Sequence, residues 1–328
     1  MRKAGALLLL SFLLAGCLDR EEKVTVHADG SVDVSHLLKG DAGEFKESRV
    51  DALPVGAPWK VTDEDLAKSD GSGTDHVRHA EASFARIEDV PESNGAAGDP
   101  APLHASTSLH RESGKDGSVR YVFERRYVPR AYAWRERVFR RTVPEDVIKA
   151  LNETKEGAAH EQAEARAIEC LLAFEREKTQ IQVEDALASV GSPDVTTRLA
   201  ARADFARRFD ARWHVGDLMP FLDGSPDARA AIDRRFRDET ASDAIAAACA
   251  TGPSEAAARA AFERERRLLE ATEDLQDESF EVRVEFPVPV VLTDADLVEG
   301  GKTAVFRFHG KDLSDSGRVL RAVAEGKP

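Results

Sequence analysis

The sequence predicts an α+β fold: a mainly antiparallel β-sheet contributed by the N- and C-terminal segments, with a large α-helical insertion between them. Three observations point there. Apolar and polar residues alternate with period two near both ends of the chain, from Val24 onward and again from Phe280. Between about Val143 and about Asp277 the apolar spacing becomes helical. Turn and helix-start signals fall at the junctions between these stretches.

Taken in order, Val24-Thr25-Val26-His27 and Ser31-Val32-Asp33-Val34 alternate around Asp29-Gly30, a strong hairpin signal because glycine adopts the positive φ that tight turns require. Extended segments follow at 59–61, 76–88, 103–111 and 119–128, the last two flanking a second turn at 114–117. The stretches 69–73 and 92–102 carry the Gly, Pro, Ser and Asp composition of loops. Helix starts are marked at Ser192-Pro193-Asp194, Ser225-Pro226-Asp227 and Gly252-Pro253-Ser254-Glu255. There proline loses no hydrogen bond and an acid meets the positive end of the helix dipole. After Pro193, the residues Val195, Leu199, Ala206, Phe209 and Trp213 form one stripe expected to be buried. Strands return at 280–286, 288–292 and 303–308, with a short one near 318–324. The two ends are expected to complete one sheet; two β-domains joined by a helical rod fit the same pattern.

The N-terminus has the form of an export signal. Arg2 and Lys3 precede an apolar run at 4–15. Twelve residues make a helix of roughly 18 Å, too short for a hydrocarbon core of about 30 Å. The run therefore reads as a cleavable signal. Leu14-Ala15-Gly16-Cys17 resembles the lipobox of bacterial lipoproteins. That resemblance implies a lipid joined to the Cys17 thiol, cleavage between Gly16 and Cys17, and a membrane as partner through acyl chains such as palmitate. Leu18 after the cysteine implies the outer membrane, facing the periplasm, if the cell has one, and otherwise the outer face of the cell membrane. The resulting division is a signal peptide at 1–16, a lipidated cysteine and short tether at 17–23, a discontinuous β-rich domain at 24–128 and 280–328, and a helical region at 129–279. Fully extended, the tether reaches about 25 Å.

The strand with an Asp-Gly turn soon after the cysteine, at 22–38, and the C-terminal strands at 280–324 also resemble LppM-type lipoproteins. This resemblance implies lipid contact by the β-rich part, and carries no binding residue over.

Loss of Arg2 and Lys3 with the signal takes the net charge from −14 to −16. So acidic a chain makes a poor partner for nucleic acid, and none is expected. Within it stands a basic exception at 125–141, where Arg125, Arg126, Arg130, Arg135, Arg137, Arg140 and Arg141 are interleaved with aromatics including Trp134. Arginine pairs with phosphate and tryptophan favours the headgroup layer, so these residues are candidates for contact with lipid headgroups or another anionic polymer. The alternative is that they pair with the protein's own acids. Cys170 and Cys249 lie in apolar helical stretches; a disulfide between them and simple packing of two free thiols are both open.

No nucleophile elbow, zinc-protease motif, phosphate loop or dinucleotide fingerprint is present. The histidines are spaced as surface or locally bonded residues, and neither metal nor other cofactor is expected. Asp63-Glu64-Asp65 and Asp294/Asp296 read as loop or helix-start acids. Three functions remain: a non-catalytic, membrane-anchored envelope module binding a protein or lipid; a carrier or sensor holding an apolar ligand between sheet and helices; and a hydrolase with dispersed site residues.

Overall fold

The computed structural model describes residues 18–41, 56–68, 73–94, 103–154, 157–191, 195–213, 239–249, 255–276 and 278–327. The signal, Gly16, Cys17 and the prolines of the three helix starts lie outside them. The fold is α+β, and the described residues divide into two units: those of 18–131 with 270–327, and those of 132–269.

The first unit is built from β1 (Asp19–Val26), β2 (Val32–Asp41), β3 (Lys60–Ala67), β4 (Thr74–Phe84), β5 (Ser93–Asn94), β6 (Leu103–Ser113), β7 (Val119–Tyr127), β8 (Ser279–Glu285), β9 (Val290–Thr293), β10 (Leu297–Glu299), β11 (Thr303–His309) and β12 (Arg318–Gly326). These make two sheets rather than the single one expected: a seven-stranded sheet in the order β10-β11-β8-β1-β2-β4-β3 and a five-stranded sheet in the order β5-β6-β7-β12-β9. Both mix strands from the two ends of the sequence, and their inner faces share one core. A single sheet would leave one face of this alternating pattern without cover; a sandwich buries both inner faces against each other.

Local chemistry sets the turns. Gly30 has φ +94°, and the Asp29 carboxylate accepts hydrogen bonds from the Ser31 N–H (3.0 Å) and hydroxyl (2.7 Å), closing the β1–β2 hairpin. Most ladders are antiparallel, but β1 and β8 run parallel, Asp19 opposite Ser279 and Thr25 opposite Glu285. Parallel neighbours require a long crossover, and here it comprises everything between residues 26 and 279. The register places buried residues in cross-sheet rows. Ala304, Val284, Val24, Val34 and Ala82 form one row, and Phe306, Val282, Glu22, His36 and Ala80 the next.

β1 begins five residues earlier than the alternation indicated. Leu18 is only 2% exposed, and its carbonyl accepts the Ser279 N–H at 3.1 Å. The tether expected at 17–23 is therefore mostly strand.

The second unit holds α1 (Ala133–Thr142), α2 (Glu145–Glu153), α3 (Ala158–Ser189), α4 (Val195–Arg212), α5 (Ser242–Cys249) and most of α6 (Glu255–Leu275). Its main core joins Val183, Leu187, Phe205, Phe209, Ile245 and Phe262 from α3 to α6. The stripe expected in α4 is buried only in its second half. Ala206, Phe209 and Trp213 are inside, while Val195 and Leu199 are exposed, because the packed face runs Ala201, Phe205, Phe209, Trp213 in steps of four. Cys170 and Cys249 are free thiols packed against different clusters, Cys170 near Phe174 and Ala167 and Cys249 in the main helical core; the disulfide left open by the sequence is not formed.

Phe306, fully buried in the sandwich, gives a test of this core. Phe306→Ala is expected to cost about 3–5 kcal/mol, and the exposed Val291→Ala to stay within about 0.5 kcal/mol. Denaturant midpoints followed by amide exchange in β8 and β11 check both.

Candidate functional site

The positions that break the apolar pattern of the sandwich are the informative ones. In β1, Arg20 and Glu22 share the inward parity of Val24 and Val26; in β2, His36 shares that of Val34; in β7, Arg125 shares that of Phe123 and Tyr127. All four charged or titratable side chains are buried, as is Glu278 just before β8. Ionisable groups in a protein interior must be paired, neutral or costly.

Here they are paired. Arg125 Nη1 stands 2.8 Å from Glu22 Oε1, an ion pair spanning the two sheets without hydrogen-bond alignment at that oxygen. The same guanidinium donates to the Tyr127 hydroxyl (3.2 Å) and the Thr107 hydroxyl (3.0 Å). Arg20 makes a two-pronged pair with Glu278, through Nε to Oε2 and through Nη2 to Oε1 at 3.1 Å. Two arginines face two glutamates, so the cluster is balanced in charge. Burial alone pulls the Arg125 pKa down, but the Glu22 carboxylate beside it prevails and holds it above the ordinary arginine value. Burial also pushes the Tyr127 phenol well up, keeping it protonated.

His36 is the group whose state is set most sharply. Its Nδ1 lies 3.5 Å from Glu22 Oε2, and its ring packs 5.2 Å from that of Trp59. Burial lowers its pKa to about 4; Glu22 opposes this, while Arg125, Arg20 and His79 reinforce it. The imidazole is therefore neutral at ordinary pH. His36 Nε2 and Trp59 Nε1 are buried without a hydrogen-bond partner in the protein. A small cavity of about 20 Å³ lies among Arg20, Glu22, His36, Leu103, Tyr127 and Phe280, room for about one water. An apolar-ligand site needs a few hundred cubic ångströms, so the carrier reading draws no support from this space.

Sequence reasoning missed this cluster. Its signal was present: Arg20 and Glu22 fall four and two residues before Val24, in phase with it. Reading the strand from Val24 hid that parity. His36, expected at the surface or locally bonded, is instead a core residue because it too follows the inward phase.

Two arginines of the basic segment, Arg125 and Arg130, are buried and so are not available for the anionic contact expected of it. The segment crosses from one unit to the other between Ala131 and Tyr132. Arg125 is buried as described, and Arg130 is buried with a 3.4 Å contact to the Thr272 hydroxyl. Arg126 pairs with Glu124 at 3.0 Å, Arg140 with Glu136 at 3.4 Å, and Arg141 with Glu177. Arg135 lies over the rings of Tyr132, Phe139 and Phe174, and Trp134 packs against the Val138–Phe174 cluster. Arg137 is exposed. Arg126, Arg140 and Arg141 remain exposed beside their acidic partners.

The acid runs have local partners. Asp63 and Asp65 hold His76 at 3.2 and 2.7 Å, and Asp63 also takes Arg78 at 2.7 Å. Asp294 and Asp296 accept the backbone N–H groups of Arg321 and Arg307. In the exposed His27–Asp33–Ser83 group, Ser83 donates to Asp33 at 2.6 Å rather than to histidine, so the serine lacks the base that would activate it. No group of metal-ligating side chains occurs among the described residues.

No family model matches the chain, and no curated protein matches it. Among solved structures, the NMR structure of the folded domain of Mycobacterium tuberculosis LppM aligns over 96% of this chain and 92% of that one, at 12% identity and a TM-score of 0.34. A likeness at that score carries no argument about fold or function.

Two predictions come from the cluster. Arg125→Met leaves Glu22 buried without its partner and is expected to cost about 3–5 kcal/mol, whereas Glu22→Leu combined with Arg125→Met recovers most of it; denaturant unfolding of the single and double variants measures this. For His36, the folded pKa is depressed from 6.5 to about 4, so protonation favours the unfolded chain. Its contribution is complete above 6.5 and declines as pH falls toward 4, by about 3 kcal/mol in all. His36→Gln should flatten that part of the stability–pH profile; an unchanged slope contradicts the assignment.

Proposed function

We propose that this protein is a membrane-anchored lipoprotein of the cell envelope whose folded part is a non-catalytic module that binds a protein or lipid partner. The observation that carries the reading is the junction at Cys17. A lipobox-like Leu-Ala-Gly-Cys is followed at once by a buried Leu18 and by β1, an interior strand of the seven-stranded sheet. Adjacent Cα atoms are 3.8 Å apart, so acyl chains on Cys17 would be joined almost directly to the sandwich. Two or more chains make such an attachment persistent, and the body would then be held against the bilayer without a swinging linker. The membrane is the outer one, facing the periplasm, if the cell has one, and otherwise the outer face of the cell membrane.

The surface supports an interaction role. Val291, Leu292, Leu297 and Val298 are exposed by 58, 68, 43 and 37% within one short stretch of β9 and β10. Large apolar side chains exposed in two edge strands are candidates for contact with a partner. The interior supports the non-catalytic part of the reading: its ionisable groups are committed to one another around a space of water size.

Growth with labelled palmitate should mark the wild-type chain and leave Cys17→Ala unmarked. Label in neither chain overturns the anchor. Crosslinking in intact envelopes should capture a partner with the wild type and lose it in Leu292→Lys combined with Leu297→Lys, while the palmitate label stays; capture unaffected by these changes removes the apolar stretch from the contact.

A further inference from the structure

The two sheets have four edge strands among the described residues, and they are not alike. β5 has two residues and β10 three. β9 has four, and its ladder with β12 is interrupted by a register shift between Val323 and Ala324. Shortness and irregularity of this kind prevent an edge from capturing another strand. β3 has neither. It runs for eight residues, Lys60–Ala67, in unbroken antiparallel register with β4, from Lys60 opposite Glu81 to Ala67 opposite Thr74. Its hairpin is closed by the Lys68 N–H to the Gly73 carbonyl at 2.9 Å. It contains neither proline nor bulge, and apart from half-buried Val61 its side chains are exposed on both faces. On its outer side, alternate N–H and C=O groups have no described strand opposite them.

The chemistry of the strand says what kind of segment fits. Asp63, Glu64 and Asp65 put carboxylates on both faces in succession. A second copy pairing through this edge would bring acid against acid, and like charges across a ladder repel. A segment with lysine or arginine at successive positions meets opposite charge on both faces. Asp63 and Asp65 are also held in place by His76 and Arg78, which fixes the carboxylates on one face before anything binds. Glu64, on the other face, makes no such pair among the described residues.

We propose that the outer edge of β3 is a docking site for an extended, lysine- or arginine-rich segment of a partner protein, which joins the seven-stranded sheet as a further strand. Main-chain hydrogen bonds supply the attachment and the acidic run selects the sequence. The proposal does not depend on lipid at Cys17.

The probe is a capped peptide, Thr-Val-Lys-Arg-Lys-Val-Thr-Val, added to the full-length protein in detergent. Hydrogen exchange should show new protection of the amides of 60–67. Two analogues, N-methylated at odd or at even positions, block one or the other edge of the peptide. One should bind and the other should not, a distinction that charge attraction alone does not make. Glu64→Lys, at an exposed position, should weaken binding about tenfold, and a peptide with glutamates in place of its cations should give no protection. Equal binding of both N-methylated analogues, or no protection by the unmodified peptide, overturns the proposal. So does protection of β3 that rises with protein concentration in the absence of peptide, which would make the occupant a second copy.

Discussion

The contact between Glu22 on β1 and Arg125 on β7 ties the two sheets together through buried charge within an otherwise largely apolar shared core. Charges removed from water are tolerated only where geometry supplies partners, so this pair restricts the structures available to the chain more than any valine around it. A slip of one residue in β1 would turn Glu22 and Arg20 outward and leave Arg125 facing hydrocarbon. The alternatives to the observed register are thus penalised by several buried groups at once. Tyr127 and Thr107 complete the coordination of Arg125, and the stacked rings of Phe280 and Phe308 pack edge-on against Tyr127, shielding the cluster from the same end.

That arrangement divides the labour within the β unit. Arg20, Glu22, Arg125 and Glu278 are closed in as ion pairs, with neutral His36 filling a core position beside them. The periphery differs in kind: exposed apolar residues on β9 and β10, and an acidic run on β3. The helical unit adds its own cores, and several of its described arginines pair with neighbouring acids or lie over aromatic rings.

Local features were legible in the sequence because their causes are local. The Asp29-Gly30 turn needs only a positive φ and a side chain that reaches two residues on, and alternation reports which residues of a strand face inward. What stayed hidden depends on distant parts of the chain. Arg20 and Glu22 look like solvent-facing charges until Arg125 and Glu278 are known to lie opposite them. The arginines of 125–141 look like one basic stripe until the chain is seen to leave the sandwich midway through it. The pairing of β8 with β1 and of β12 with β7, which makes two sheets instead of one, is a choice among partners that no single strand encodes.

The parallel pairing of β1 with β8 has a consequence for the life of the newly made chain. A strand near the beginning of the sequence must wait for one more than 250 positions later before its ladder is full. Until then its inward charges lack Glu278, and the larger sheet stays open along one side of β1. Closure comes late, and it comes at once for both sheets, because β8 to β12 arrive together.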